Sequence, residues 1–458
     1  MEFTGLTRKA GEVGWFAKND RKSFSLSRLF IMAKYSSAEL QNLVQDDRVH
    51  RAYYTDPDVF ALEIEKIFKK VWLYVGHDSL IPNEGDYYCT TLAGQPVVLS
   101  RGEKGSIHVI HNRCGHRGAK VLVRERGNDK LFRCMYHGWA FRPNGEIAGV
   151  PMRAEFPEGS LDTPDVGMVA LPRVDSYRGF VFASFSPDVM PLREFLGTAT
   201  EGIDELVDRS PVGAIEFEAG CHRYHFRGNW KLQMDNMADT YHPAACHIST
   251  VGPDGRQFQR RAGKEGGAAR FFTPDGEAVV SQLGVRGFKQ GHSSEQSLFD
   301  KEQSGGGWDE YRATMVAAYG EERTKEILKN RRHSLTLFPT LDILIAQTSV
   351  RVVKPISVDL TEVEVWPVRL AGAPAAISDD LVRYVNITHS ASSFIQSDDL
   401  EAFERCQEGM HSQGSEWILV ARGLGTDVEE SDGVLFGPRS SEVGQRAKHY
   451  AWRELMSN

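Results

Sequence analysis

The spacing of apolar positions along this chain changes twice. From Ser36 to about Leu73 it is helical: "SSAELQNLVQ" opens on a Ser with Glu three residues on, a capping-box pattern, and "DPDVFALEIEKIFKKVW" follows an Asp-Pro start. From about Val75 to Ser186 it shortens to strand-like runs cut by Gly, Pro and Asp: "GDYYCTTLAG", "QPVVLSRG", "SIHVIHNR", "LFRCMYHG" and "RGFVFASFS". Such runs predict a small antiparallel β domain. Beyond Pro191, helix-like "NWKLQMDNMADTYH" and "DDLEAFERCQEGM" flank strand-like "LDILIAQTSVRVVKP" and "TEVEVWPVRL". The fold class is therefore α+β, with a central antiparallel sheet flanked by helices in the larger part. Residues 252 to 307, rich in Gly and charge, are expected to form long mobile loops and not a core element. The expected division is an extension over 1–35, a helical lead-in over 36–74 that packs with the larger domain, a β domain over 75–186 and the larger domain over 187–458.

Composition narrows the function classes. The 458 residues are 41% hydrophobic and 25% charged, ordinary for a globular chain. No apolar run approaches the roughly 18 residues of a membrane span, so no membrane association is expected. A net charge of −8 gives no electrostatic reason to bind nucleic acid. The first 31 residues are mildly basic, lack the apolar core of a targeting peptide and precede a second Met at position 32. They are expected to be loosely ordered, as an outcome of start-site choice. Six Cys argue for a reducing compartment and a cytoplasmic location. Cys89, Cys221, Cys246 and Cys406 are scattered and are expected to be small buried residues.

Cys114, His116, Cys134 and His137 differ, because they stand in two tight pairs, "CGH" and "CMYH", separated by seventeen residues. Each pair can converge on one centre while the spacer lets two loops face each other. A tetrahedral Cys2His2 zinc site is one reading. Mixed Cys/His pairs on opposing loops of a β domain instead fit a Rieske 2Fe-2S cluster, with two Cys on one iron and two His on the other. Gly115, Gly118 and Gly138 suit loops whose backbone N–H groups bond cluster sulfurs. His108 and His111 fall outside the spacing and are assigned to strand or loop.

A relay centre leaves most of the chain to use the electrons. In "NWKLQMDNMADTYHPAACH", residues 229–247, Asp239 and His242 are three apart and are expected to share a helix face, leaving one ring nitrogen for a metal. His247 lies roughly 140° further round an ideal helix. Pro243 disfavours the α conformation at His242, so a bend there would turn both His to one ion. Two His and one carboxylate form the non-haem Fe(II) oxygenase arrangement. The carboxylate must come from elsewhere, and "FIQSDDLEAFERCQ" offers Asp398 and Asp399.

Together these motifs resemble the large (α) subunit of the Rieske non-haem iron ring-hydroxylating oxygenases. The resemblance runs from about Val49 onward through the Cys/His pattern, "YRGFVFASF", the "NWK…DN…D-x2-H-x4-H" stretch and the late "DD-x-E", in family order. It implies that Cys114 and Cys134 hold one cluster iron, His116 and His137 the other, and His242, His247 and Asp399 a mononuclear Fe(II). Asp399 is preferred to the adjacent Asp398 because "DLE" matches the family's ligand-x-acid pattern. Asp239 would bridge the mononuclear site, through His242, to His137 of a neighbouring subunit's cluster. Asn236 would sit near the open side of the iron. Asp235 stands where relatives often have Glu, and the shorter acid would alter inter-subunit hydrogen bonding. The family forms rings of three α subunits, sometimes with three small β subunits; the length here favours α3β3 over α3.

The resemblance further implies O2-dependent hydroxylation, most simply cis-dihydroxylation, of an aromatic ring held in an apolar pocket. No G-x-G-x-x-G fingerprint is present, so NAD(P)H would act only through a separate reductase, with or without a ferredoxin. An aromatic carboxylate is set slightly ahead of a neutral arene, with Arg351 as a candidate partner for the acid. A Rieske monooxygenase or demethylase would use the same metals, whereas an electron carrier or zinc-stabilised structural protein would need neither His242 nor His247.

Overall fold

The computed structural model describes residues 35–251, 280–299, 307–329, 332–430, 433–438 and 440–458. The extension before Tyr35 and residues 252–279 and 300–306 of the expected loops lie outside them.

Local chemistry sets the lead-in. Ser36 caps the Ser37–Asn42 helix, accepting from Glu39 N while the Glu39 carboxylate accepts from Ser36 N. Asp56 caps the Pro57–Glu63 helix with Pro in its first turn, and a π-helical turn over Ile64–Phe68 continues it. The first helix and the π-helical turn pack against the C-terminal Val443–Ser457 helix. Buried Glu63 joins them to the larger domain, accepting from Trp230 Nε1 (2.9 Å), Lys231 Nζ (2.5 Å) and Trp452 Nε1 (2.7 Å).

The β part contains three antiparallel sheets. Strands Ile107–His111, Gln95–Arg101, Asp86–Leu92 and Arg126–Asn128 lie side by side in that order. Phe132–Arg133, Ala140–Phe141 and Ile147–Gly149 form a small sheet. Phe180–Ser184 pairs with both Arg173–Tyr177 and Leu73–His77, so the end of the lead-in closes this part.

Nine antiparallel strands form the large sheet, in the order His222–Phe226, Leu360–Pro367, Ser349–Ser357, Leu341–Leu344, Arg332–Leu337, Ser293–Phe299, Val280–Gly287, Leu435–Pro438, Val428–Glu429. The hairpin over 280–299 corrects the expectation of loops throughout 252–307. Its inward positions Ser293, Glu295 and Ser297 are buried yet polar, so no apolar alternation announces a strand.

That polar character continues across the ladder. Ser293, Thr336, Asp342 and Arg351 pair in register and therefore share one face, and all four are buried. The C-terminal helix covers this face at Ser293, where a Cβ added at Gly444 would lie 3.1 Å from the Ser293 side chain. Met237 covers it at Arg351. Among the described residues no helix is long and apolar enough to cross a membrane.

Two candidate metal centres

The first Cys/His cluster is built from two loops with the same backbone plan. Cys114 N donates to Ala119 O and Gly118 N to Cys114 O; Cys134 N donates to Trp139 O and Gly138 N to Cys134 O. Gly118 and Gly138 both have φ of +74°, a conformation that only Gly adopts without strain. Gly115 is needed for room, since a Cβ there would lie 2.1 Å from Val166 O. Asn112, fully buried, pins the first loop by accepting from Val121 N and Leu122 N.

The loops bring all four side chains together. The His116 and His137 rings lie 4.5 Å apart, and Trp139 stacks on His116 at 5.0 Å with an interplanar angle of 1°. Cys114 and Cys134 are buried free thiols, and burial pushes the Cys114 thiol up. Nδ1 of each His is buried without a hydrogen-bond partner. Two buried thiols and two orphaned imidazole nitrogens fit a mixed-ligand cluster, because each group would otherwise carry an unrecovered desolvation cost. Met135 and Tyr136, between the second pair, are exposed.

The second cluster is assembled by three chain segments. The Trp230–Asn236 helix, capped by Asn229, stops at Asn236, and Asp239 is in a turn and not on a helix face as expected. There its Oδ1 accepts from Tyr241 N (2.7 Å) and His242 N (3.3 Å). His242 itself is αR, contrary to the bend expected at that residue: Pro243 opens the Pro243–Cys246 helix as its first residue, where no N–H is required. The change of direction occurs in the turn that Asp239 holds. Asp399 comes from the first turn of the Gln396–Gly409 helix.

His242, His247 and Asp399 each present a ligand atom within 4.8 Å of the others. Nε2 of His242 is 3.6 Å and Nε2 of His247 3.2 Å from Asp399 Oδ1. The opposite ring nitrogens each face a further acid: His242 Nδ1 is 3.6 Å from Asp239 Oδ2, and His247 Nδ1 is 3.3 Å from Asp398 Oδ2. Carboxylate, imidazole and a shared centre in line are what a metal-binding His requires. The buried Nδ1 of His242 has no hydrogen-bond partner. Asn236 Nδ2 reaches Asp399 Oδ1 (3.0 Å) and His242 Nε2 (3.2 Å).

Burial works against ionisation of Asp239, but His242 and the two backbone N–H groups outweigh it and hold the carboxyl below its usual range. For His247, burial disfavours the charged ring, and Asp399 and Asp398 reverse the sign and raise it.

The four scattered cysteines depart from the burial expected of them, while Asp235 is held within its own chain. Asp235 has close partners within its own chain: Tyr54 Oη donates to it (2.8 Å), and Lys448 Nζ (3.3 Å) and His449 Nε2 (3.6 Å) flank it. These partners hold its carboxyl down to about 2 against burial. Cys89, Cys221 and Cys246 are only partly buried and Cys406 is exposed. Arg351, the candidate partner for a substrate acid, is 1% exposed. Sequence reasoning missed Trp139; nothing local distinguishes it from a packed aromatic.

The Rieske 2Fe-2S domain profile matches residues 71–172, and the ring-hydroxylating α-subunit catalytic-domain profile matches residues 218–458. The chain is 30% identical to the large subunit of 2-halobenzoate 1,2-dioxygenase from Burkholderia cepacia, over 91% of this chain and 92% of that one. It is 31% identical to the α subunit of toluate 1,2-dioxygenase from Pseudomonas putida, over 91% and 94%. Among solved structures, naphthalene 1,2-dioxygenase with indole in its active site superposes with a TM-score of 0.76 at 26% identity, covering 91% of this chain and 94% of that one. Profile matches over both parts, relatives aligned almost end to end and a shared fold place this chain in the family of aromatic ring-hydroxylating dioxygenase large subunits, oxidoreductases with a Rieske 2Fe-2S cluster and a mononuclear iron.

Proposed function

We propose that this chain is the terminal oxygenase subunit of a system that cis-dihydroxylates an aromatic carboxylate. The observation that carries the reading is the presence in one chain of two dissimilar clusters, one with two thiols and two imidazoles and one with two imidazoles and a carboxylate. A lone relay needs only the first. The relatives named for 2-halobenzoate, toluate and anthranilate support an acid substrate.

When bound, the cluster supplies electrons singly and the mononuclear iron supplies O2 activation. Cys114 and Cys134 hold one cluster iron, and His116 and His137 the other. His242, His247 and Asp399 would hold the mononuclear iron. Asp398 and Asp239 orient the two His rings, and Asp239 also links His242 to His137 of the next subunit. Asn236, whose amide reaches Asp399 Oδ1 and His242 Nε2, would lie next to the iron. Electrons come from NAD(P)H through a separate reductase, with or without a ferredoxin. The assembly is a ring of three such chains with small β subunits, because head-to-tail electron delivery closes on itself only in a ring. Six unpaired cysteines support a cytoplasmic location.

Turnover of benzoate under isotopic dioxygen with a reductase tests the reaction. The expected product is a cis-diol with both new oxygens from O2; a phenol with one labelled oxygen, or a released aldehyde, contradicts it.

A further inference from the structure

Arg351 and His389 are buried, on the Ser349–Ser357 strand and at the end of the Ala375–His389 helix, and Arg351 reaches Met237, the residue after Asn236 of the second site. We propose that they form the site for the substrate's carboxylate, His389 Nε2–H donating to it while Arg351 fixes the ring and supplies positive charge. This rests on the aromatic-acid reading above.

The hydrogen-bond inventory leads there. Arg351 Nη1 points at Met237 Sδ (3.0 Å) and Nη2 lies 3.3 Å from His389 Nδ1. A guanidinium has donors only, so His389 Nδ1 accepts and the neutral ring carries its hydrogen on Nε2. That Nε2 is buried with no partner, and so is Arg351 Nε. Two donors are thus buried without an acceptor, which a folded interior tolerates only where something else completes them.

The charge is also only partly compensated. Among the described residues no carboxylate lies within 4.0 Å of Arg351. Asp342 is directly across the ladder, yet neither of its oxygens has a hydrogen-bond partner. Burial pushes Asp342 up to about 7, so it is a weak counter-ion. Burial, reinforced by the charge of Arg351, holds His389 neutral, far below its ordinary value.

Benzoate and benzamide, matched in shape and different in charge, are the probes, titrated calorimetrically into anaerobic holoprotein. Wild-type protein is expected to bind benzoate more tightly than benzamide. Arg351→Met and His389→Phe are each expected to weaken benzoate by about ten- to a hundredfold, the range of a hydrogen bond to a charged group, and benzamide by less than about threefold. Arg351→Lys and His389→Gln, which restore a cation and a donor, recover part of the loss. The cluster's EPR signal and the iron content check the fold of each variant; if Arg351→Met does not fold, the two His389 variants decide. Equal affinity of wild-type protein for both probes, or benzoate affinity unchanged in the variants, overturns the proposal. Binding is read apart from turnover: protein that makes a cis-diol from toluene and ignores benzoate overturns the carboxylate site but leaves the oxygenase reading intact. Benzoate binding that depends on Arg351, in protein that makes no diol from any arene, supports the site and removes the reaction.

Discussion

Asp398 Oδ2 lies 3.3 Å from His247 Nδ1, on the opposite side of the ring from the Nε2 that faces Asp399. The two adjacent acids therefore divide the work: one points at the centre of the cluster, the other at the back of a ligand ring. Asp399→Ala is expected to abolish mononuclear iron binding, whereas Asp398→Ala lowers iron affinity by about 10–100-fold, the usual cost of losing an acid that orients a metal-binding His. Iron content after graded chelation, with the cluster signal as internal reference, measures both. Equal loss in the two variants contradicts the division.

Asp239 holds the turn before His242 through two backbone N–H groups and faces the His242 ring. Asp239→Asn keeps an oxygen for the turn but removes the charge. Both metal centres are expected to load, while product formed per reduced cluster falls by about 10–100-fold or more. Single-turnover product yield beside the cluster's reoxidation rate separates a broken link from a lost metal.

Glu63 is wholly buried among Lys231, Trp230 and Trp452, and so ties the lead-in to the helix that ends at Asn236. Glu63→Gln leaves the Lys231 ammonium buried without its counter-charge. A loss of about 3–5 kcal/mol is expected, as for other buried pairs broken on one side. Denaturant unfolding measures it, and a change under 1 kcal/mol, on the order of an exposed pair, would contradict the role assigned to Glu63.

Buried Glu295 is pushed up to about 8 by burial, with Asp239 adding to the effect, from an ordinary value of 4.5. Its folded state keeps a proton that the unfolded chain releases, so its contribution to stability is full below about pH 4.5 and is lost as pH rises through about 8. Asp342, pushed up to about 7, acts in the same direction. Thermal unfolding of wild type minus Glu295→Gln is therefore expected to decline between pH 5 and pH 8, by at most about 1.4 kcal/mol per pH unit for one proton. A difference that is flat or rises over that window contradicts the assignment.

The parts of the site that were legible in the sequence are local. Cys114, His116, Cys134 and His137 lie within two short loops, and a loop that brings two residues together leaves a spacing that can be read directly. Ser36 and Glu39, and Asp56 with Pro57, announced their helices for the same reason. What was misread depends on tertiary context. Asp239 meets His242 through a turn, since the helix expected to carry both ends at Asn236. The 280–299 hairpin buries Ser and Glu, so its pattern resembled a loop. His389 acquires meaning only when a strand 38 positions earlier sets Arg351 against it.

Metal and acid-labile sulfide content of anaerobically purified protein, with an EPR spectrum after dithionite reduction, tests most directly the claim that one chain joins a Rieske cluster to a mononuclear iron. About three irons and two sulfides per chain, with a low-average-g signal, are expected if both clusters load. Zinc without sulfide would make "CGHRGAK" and "CMYHGW" a structural knuckle, and the oxygenase assignment would fall with it.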